Sequence, residues 1–171
     1  MLAILLVILL PIAVGATANV PYTSYNYNFW QQMVPAPQAY VPTRALSGID
    51  LGVGSFNTPQ DLFVAPNGEI YVVDTGNSRI ICMNENFELL RVIDEFQNNG
   101  QPDRLNKPSG IFVRANGWMY IADEQNERVV VLDRQGKLLY EVTSPAAQEE
   151  GLFSAEFKFR PQKVGVDNFG R

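Results

Sequence analysis

The sequence contains no histidine and only one cysteine among its 171 residues. Without histidine, these residues cannot form a Ser-His-Asp or Cys-His pair, a histidine general base or a histidine-ligated zinc site. The single cysteine, Cys82, excludes an intrachain disulfide. Cys82 lies in the apolar stretch Ile80-Ile81-Cys82-Met83, where a small buried side chain is expected rather than a nucleophile.

Basic residues are also scarce. The chain has 13 Lys and Arg against 18 Asp and Glu, which gives a formal net charge of -5 and a pI near 4.7. Nucleic-acid binding needs clustered Lys and Arg to neutralise phosphates, so no nucleic-acid partner is predicted. The sequence also lacks an Asn-x-Ser/Thr acceptor with a non-proline middle residue, which favours a bacterial exported protein over a eukaryotic glycoprotein.

The N-terminus begins with an apolar run over residues 2–14, followed by the small-x-small site Ala16-Thr17-Ala18. This pattern predicts an export signal over residues 1–18 that is cleaved after Ala18, an extracellular or cell-envelope location, and only transient contact with the membrane. The alternative is an uncleaved membrane anchor. Against it, the run is shorter than the roughly 20 residues of a spanning helix, and Pro11 would kink it.

Residues 19–43 are rich in Tyr, Asn and Pro and show neither strand nor helix periodicity, so the sequence predicts an irregular extension. Two interpretations of its aromatic residues stay open. They lie across the surface of the following domain, or they form a stacking platform for a sugar or peptide. The aromatic residues are Tyr22, Tyr25, Tyr27, Phe29 and Trp30.

The rest of the chain repeats itself. Phe56–Asp94 and Leu105–Thr143 carry the same pattern at a constant offset of 49 residues, and a third copy begins 53 residues after the second. Such self-similarity predicts a repeat architecture whose units bury their faces against neighbours. The matched residues are Pro59 and Pro108, Val64 and Val113, Gly68 and Gly117, Tyr71 and Tyr120, Asp74 and Asp123, Asn77 and Asn126, and Arg79 and Arg128, and the third copy places Pro161, Val166 and Gly170 after Pro108, Val113 and Gly117.

Each complete copy contains four short apolar segments separated by turn residues. We expect the Asn-Gly pairs at 67–68 and 116–117 to form two-residue hairpin turns with positive φ. Four antiparallel strands that meander through short turns make one blade of a β-propeller, so the predicted fold class is all-β. The predicted strands are Asp61–Ala65, Glu69–Asp74, Arg79–Met83 and Leu89–Ile93 in the first copy, and Gly110–Arg114, Trp118–Asp123, Arg128–Asp133 and Leu138–Val142 in the second.

The segment Asp74-Thr75-Gly76-Asn77-Ser78-Arg79-Ile80, preceded by Ile70-Tyr71-Val72-Val73, resembles the core of an NHL repeat, and residues 121–129 repeat it. The resemblance implies a propeller of about six blades. Within 44–171 we therefore expect blades at 56–94 and 105–143, and a partial blade at 157–171. We also expect the sequence to be part of a longer protein. The stretch Val41–Ser47 is then a candidate outer strand for the last blade.

The repeated Asp, Asn and Arg are interpreted as structural. A catalytic group is needed once, whereas a fold-forming group is needed in every unit. We expect the Asp to accept backbone N–H bonds from the following turn, Gly76 and Asn77 to adopt left-handed φ, and the Arg to form a two-pronged pair with a carboxylate. The residues are Asp74, Asn77 and Arg79 in the first copy and Asp123, Asn126 and Arg128 in the second.

Propeller geometry places a candidate ligand site at the starts of the first strands, which surround one mouth of the central channel. These positions vary between copies while the frame around them stays fixed. That variation fits a binding surface built on a repeat, and it equally fits an unconstrained loop. The candidate residues are Gln60, Asp61, Ser109, Gln162 and Lys163.

Three functions follow as hypotheses. The first is a non-catalytic binding or scaffold module for a carbohydrate, peptide or protein, which needs no cofactor. The second is suggested by a resemblance to gluconolactonase-type propellers, which implies a divalent cation such as calcium held by oxygen ligands. Asp61 is the only carboxylate at a first-strand start of the two complete copies. The third is a chain that works only after assembling with copies of itself, because an open ring leaves strand edges uncovered.

Overall fold

The computed structural model describes residues 25–35, 44–144 and 157–167. The predicted signal at 1–18 lies outside the described residues. The chain divides into two compact units, Met1–Leu46 and Ser47–Arg171. None of the described residues belongs to a helix long and apolar enough to cross a membrane.

The first unit contains a small hairpin. Strands β1 (Tyr25–Tyr27) and β2 (Met33–Pro35) pair antiparallel, so the prediction of irregular structure from 19 to 43 is wrong for this part. The Asn28 side chain explains the difference, because its Oδ1 accepts N–H bonds from Trp30 and Gln32, both at 3.0 Å. Such local bonds build a turn without any hydrophobic periodicity.

The second unit is built from two four-stranded antiparallel sheets, each following chain order. A two-stranded hairpin, which the sequence did not predict, connects them. The strands are β3 (Pro59–Val64), β4 (Ile70–Asp74), β5 (Arg79–Met83) and β6 (Leu89–Ile93) in the first sheet, β7 (Glu95–Asn98) and β8 (Gln101–Arg104) in the hairpin, and β9 (Pro108–Val113), β10 (Met119–Asp123), β11 (Arg128–Leu132) and β12 (Leu138–Thr143) in the second sheet.

The two sheets share one register. Tyr71 pairs with Phe63 and Cys82 in the first, and the equivalent Tyr120 pairs with Phe112 and Val131 in the second. A short 3-10 turn follows the second strand of each sheet, at Thr75–Asn77 and Glu124–Asn126. The predicted four-stranded antiparallel blades are therefore confirmed.

The hairpin turns differ from the prediction. Gly68 has φ +84° and Gly117 has φ +85°, but the preceding asparagines are not left-handed. The Ala65 N–H donates to the Glu69 carbonyl at 2.8 Å and the Gly68 N–H to the Ala65 carbonyl at 2.9 Å. These bonds define a three-residue loop that ends in one left-handed residue, so the two-residue turns predicted at 67–68 and 116–117 are wrong by one residue.

The hydrophobic core lies between the facing sides of the two blades. Aromatic and aliphatic side chains from both sheets interlock there, and Cys82 is one of them. Phe96 and Leu105 close it from the connecting segment. The core side chains from the two sheets include Tyr71, Val73, Ile80, Cys82 and Ile93 in the first blade and Ile111, Val113, Met119, Ile121, Val130 and Leu132 in the second.

The predicted third blade takes a different form in the part that the structure describes. Residues 157–167 contain no regular strand, yet they lie along β9. The Ser109 hydroxyl donates to the Pro161 carbonyl at 2.9 Å, and a Cβ on Gly110 would come within 2.6 Å of the Gln162 carbonyl oxygen. The candidate outer strand at 41–47 likewise has no strand over 44–47, and 41–43 lie outside the described residues.

Candidate functional site

The repeated Asp of the first blade is the centre of a local network. Asp74 is fully buried. Its Oδ1 accepts the Asn57 backbone N–H at 2.7 Å, and its Oδ2 accepts bonds from Asn77 Nδ2 and Arg79 Nε, both at 2.8 Å. Arg79 also donates to the Val53 carbonyl at 2.6 Å. The carboxylate thus joins the loop before β3, the turn after β4 and the start of β5.

The second blade repeats this network. Asp123, also fully buried, accepts bonds from the Asn106 N–H at 2.7 Å and from Asn126 Nδ2 and Arg128 Nε at 2.9 Å. The backbone N–H therefore comes from the loop that precedes the first strand, and not from the turn that follows the second strand, as the sequence predicted. The following turn contributes the amide of the Asn side chain instead.

The left-handed residues of this motif are also different from those predicted. They are Ser78 at φ +53° and Glu127 at φ +54°, each at the end of its 3-10 turn. Position 76 requires glycine because of limited space and not because of its φ angle. A Cβ there would lie 2.4 Å from Asn57 Cγ and 2.6 Å from Thr58 Oγ1. Neither Gly76 nor Asn77 has positive φ.

Arg128 carries a larger network than its first-blade equivalent. Its Nη1 and Nη2 donate to the two carboxylate oxygens of Asp103 at 2.7 and 2.9 Å, and Nη1 also reaches Glu141 at 3.1 Å. Its guanidinium carbon lies 5.5 Å from the centre of the Phe96 ring. The hydrogen bonds from Arg128 lower the pKa of Asp103 from 3.8 to about 2. Because these groups saturate one another, the network holds the blade together.

This shift predicts an acid-sensitive contribution to stability. A carboxyl whose pKa is lower in the folded state stabilises the protein fully above its unfolded pKa, here 3.8, and loses that contribution as the pH falls toward about 2. The contribution is about 2 kcal/mol. Asp103→Asn is expected to destabilise the protein at neutral pH and to flatten the acid side of its stability curve. Urea unfolding across this pH range measures both effects.

A matched variant separates this effect from general acid unfolding. Glu95 forms an exposed ion pair with Arg104 at 3.0 Å, so Glu95→Gln is expected to leave the shape of the acid curve unchanged. An Asp103→Asn curve with the wild-type acid slope would contradict the assignment.

Asp61, the candidate carboxylate at the starts of the first strands, already has partners. Its Oδ2 accepts the Ile111 N–H at 3.0 Å, its Oδ1 accepts the Leu62 N–H at 3.1 Å, and Lys163 Nζ lies 2.5 Å from Oδ1. Asp61 therefore links β3, β9 and the segment after Pro161. In the part of the chain that the structure describes, no group of three or more His, Cys, Asp or Glu residues is placed to hold a metal ion.

The structure brings the other candidate residues to the same end of the first strands but exposes them unequally. Ser109 is 2% exposed and is bonded to the Pro161 carbonyl, so it supports the backbone. Gln60 and Gln162 are exposed, and the Lys163 side chain is 63% exposed.

A second polar cluster, which the sequence did not predict, lies between the blades. The Tyr71 hydroxyl donates to Glu69 at 2.5 Å, and Arg91 reaches the Tyr71 hydroxyl at 3.4 Å and donates to the Arg134 carbonyl. Burial, together with the bond to Glu69, raises the pKa of the Tyr71 hydroxyl. Burial also raises the pKa of the Cys82 thiol, which keeps it protonated and weakly nucleophilic.

Comparison with known protein families identifies one repeat in this chain. The model of the family described as NHL repeat matches residues 56–83, which include β3, β4 and β5. A search of curated proteins found no match.

Several solved structures are similar to this chain. Kuenenia stuttgartiensis hydrazine synthase has 10% identity and a TM-score of 0.50, and the match covers 77% of this chain and 31% of that one. Virginiamycin B lyase from Staphylococcus aureus has 16% identity and a TM-score of 0.40 over 71% of this chain and 34% of that one. A streptogramin B lyase has 15% identity and a TM-score of 0.41 over 71% and 33%. The chain thus spans about a third of the length of these structures, and at such identities the likeness concerns the fold alone.

Proposed function

We propose that this NHL-repeat protein of β-propeller fold is an exported, non-catalytic binding or scaffold module. It recognises a carbohydrate, peptide or protein through the recognition surface formed by Gln60, Gln162 and Lys163. Export rests on the apolar run and small-x-small site within residues 1–18. No cofactor is needed for binding of this kind.

One contrast supports the proposal. The residues that recur in both blades are committed to internal bonds, as Asp74 and Asp123 each accept three. The residues after the repeated proline vary between copies, as Gln60, Ser109 and Gln162 at one position and Asp61, Gly110 and Lys163 at the next, and of these Gln60, Gln162 and Lys163 present exposed side chains at one end of the unit. A fixed frame with variable exposed positions is how binding sites are built on repeat folds.

The chemistry of the recognition surface suits a polar, uncharged ligand. Each glutamine offers one amide acceptor and two donor hydrogens, and Lys163 adds donors. The Lys163 charge is opposed by Asp61 at 2.5 Å, so the surface is close to neutral at this end. Hydroxyl groups of a carbohydrate or backbone amides of an extended peptide match these donors and acceptors.

The double variant Gln60→Ala/Gln162→Ala is expected to weaken binding about tenfold, because two net hydrogen bonds are lost. Binding is measured on a glycan array and a peptide array, followed by calorimetry with the strongest hit. The control is Gln101→Ala/Gln135→Ala, which removes two exposed glutamines elsewhere and should leave binding unchanged.

Two outcomes would overturn the proposal. One is equal loss of binding in the test and control variants. The other is calcium-dependent hydrolysis of a lactone such as glucono-δ-lactone that is abolished by Asp61→Asn, which would favour the lactonase alternative.

A further inference from the structure

A pocket of about 460 Å³ lies at the other end of the first strands. β3 and β9 run side by side in the same direction, because Asp61 bonds to Ile111 and Phe63 packs on Phe112. The strand starts therefore meet at the recognition surface, and the strand ends meet at this pocket. Among the described residues, its lining is mainly apolar and includes Phe63, Phe112, Val113 and Val166, with Arg114 and Asp167 as the charged members.

An unfilled position in the repeat lies beside the pocket. Phe63 and Phe112 are equivalent in the first two copies, and their ring centres lie 5.1 Å apart at an angle of 58°. Gly165 holds the same place in the third copy, 53 residues after Phe112. A Cβ atom on Gly165 would meet no heavy atom of the described residues within 4 Å. At this position the third copy thus supplies no ring, and the described part of the chain leaves open space beside the pair of phenylalanines.

Of the two charged residues, Arg114 indicates what could fill that space, because Asp167 has another interaction partner. Arg114 is only partly exposed, and no salt bridge joins its guanidinium to a carboxylate within 25–35, 44–144 and 157–167. Its backbone N–H bonds to the Trp118 carbonyl, which fixes the turn that carries it. A guanidinium at the edge of an apolar pocket favours a carboxylate, which it can bind with two parallel hydrogen bonds.

We propose that this pocket binds an apolar side chain that adjoins a carboxylate. The side chain packs against Phe63 and Phe112 in the space left by Gly165, and the carboxylate pairs with Arg114. A free apolar amino acid and the C-terminal residue of a peptide share this chemistry. A carbohydrate suits the pocket less well, because its hydroxyls need several polar partners and the lining is mainly apolar. This site is independent of the recognition surface.

The test uses the full chain and three probes: L-phenylalanine, N-acetyl-L-phenylalanine and N-acetyl-L-phenylalaninamide. Calorimetry is expected to show binding of at least one of the two acids and at least tenfold weaker binding of the amide, because the amide lacks the charged group that pairs with Arg114. Tighter binding of the free amino acid would identify it as the source, and tighter binding of the acetylated acid would identify a peptide terminus.

Two variants locate the site. Gly165→Leu is expected to abolish binding by filling the open space, and Arg114→Gln to weaken it at least tenfold. Arg134→Gln, which changes a 60% exposed arginine outside the pocket, should bind as the wild type does. Circular dichroism melts test whether each variant folds. If Gly165→Leu does not fold, Gly165→Ala replaces it in the binding measurement.

Three results would overturn the proposal. They are no binding of either acid up to its solubility limit, equal binding of the amide, or wild-type affinity in both folded pocket variants. Because none of these variants touches Gln60, Gln162 or Lys163, failure here leaves the proposed function of the recognition surface intact.

Discussion

Replacing Asp123 with alanine is expected to lower the free energy of unfolding by about 3–5 kcal/mol, because it leaves three hydrogen-bond donors at a buried position without their acceptor. Asp123 is fully buried, and Arg128 is 9% exposed. The variant removes three hydrogen bonds, from the Asn106 N–H, Asn126 and Arg128. Urea unfolding followed by circular dichroism measures the change through the midpoint, with the slope checked for constancy.

Two further variants test the reason for this loss. Asp123→Asn keeps the size of the side chain but removes its charge, so it should also destabilise strongly. Arg104→Ala breaks an ion pair whose side chains are 73% and 50% exposed, and it should cost less than about 1 kcal/mol. If Asp123→Ala costs no more than Arg104→Ala, the network does not hold the blade together.

Replacing Ile121 with alanine is expected to lower the free energy of unfolding by about 2–5 kcal/mol. Ile121 is fully buried in the core between the blades, so the variant leaves a cavity that its neighbours cannot easily fill. The equivalent residue of the first blade is Val72, 49 residues earlier. Val72 is half-buried and pairs with Leu62, which is 61% exposed.

Val72→Ala is therefore the matched control, and it should cost about 1 kcal/mol because little apolar surface is lost from the interior. Both variants are measured by urea unfolding under the same conditions. If Ile121→Ala and Val72→Ala lower the free energy of unfolding equally, the difference in burial between these two equivalent positions does not determine their contribution to stability.

Much of the fold could be predicted from local sequence patterns. Apolar alternation and turn residues located all eight blade strands, and the bounds of β5 and β6 agree with the prediction at both ends. The segments between the blades were harder to predict from the sequence. The hairpin of β7 and β8 follows β6 almost without interruption, and its strands contain charged and amide residues that carry little hydrophobic signal. A pattern of apolar residues predicts a strand only where the strand buries one face, and Phe96 is the only buried residue among the eight residues of β7 and β8.

The candidate site was predicted in part. The sequence placed Gln60, Asp61, Ser109, Gln162 and Lys163 near one another, and the structure joins Asp61 to Lys163 and Ser109 to Pro161. The sequence could not predict which of these side chains are exposed, because their exposure depends on how closely the segment after Pro161 approaches β9. The sequence predicted a two-pronged pair for the repeated Arg, but it could not identify Asp103 as the partner of Arg128, since Asp103 belongs to a hairpin that the sequence did not predict.

The sequence by itself determined the strands, the order in which they pair and the repeated Asp, Asn and Arg of each blade, because these features depend on residues that are close along the chain. Only the tertiary structure decided which blade face is covered, which arginine gains further carboxylates and where, among the described residues, the glycine at 165 leaves space beside Phe63 and Phe112. Those outcomes depend on contacts between residues of different blades that lie some 50 positions apart in the chain, such as the hydrogen bond from Ile111 to Asp61. Packing geometry sets such contacts, and residue type alone does not encode it.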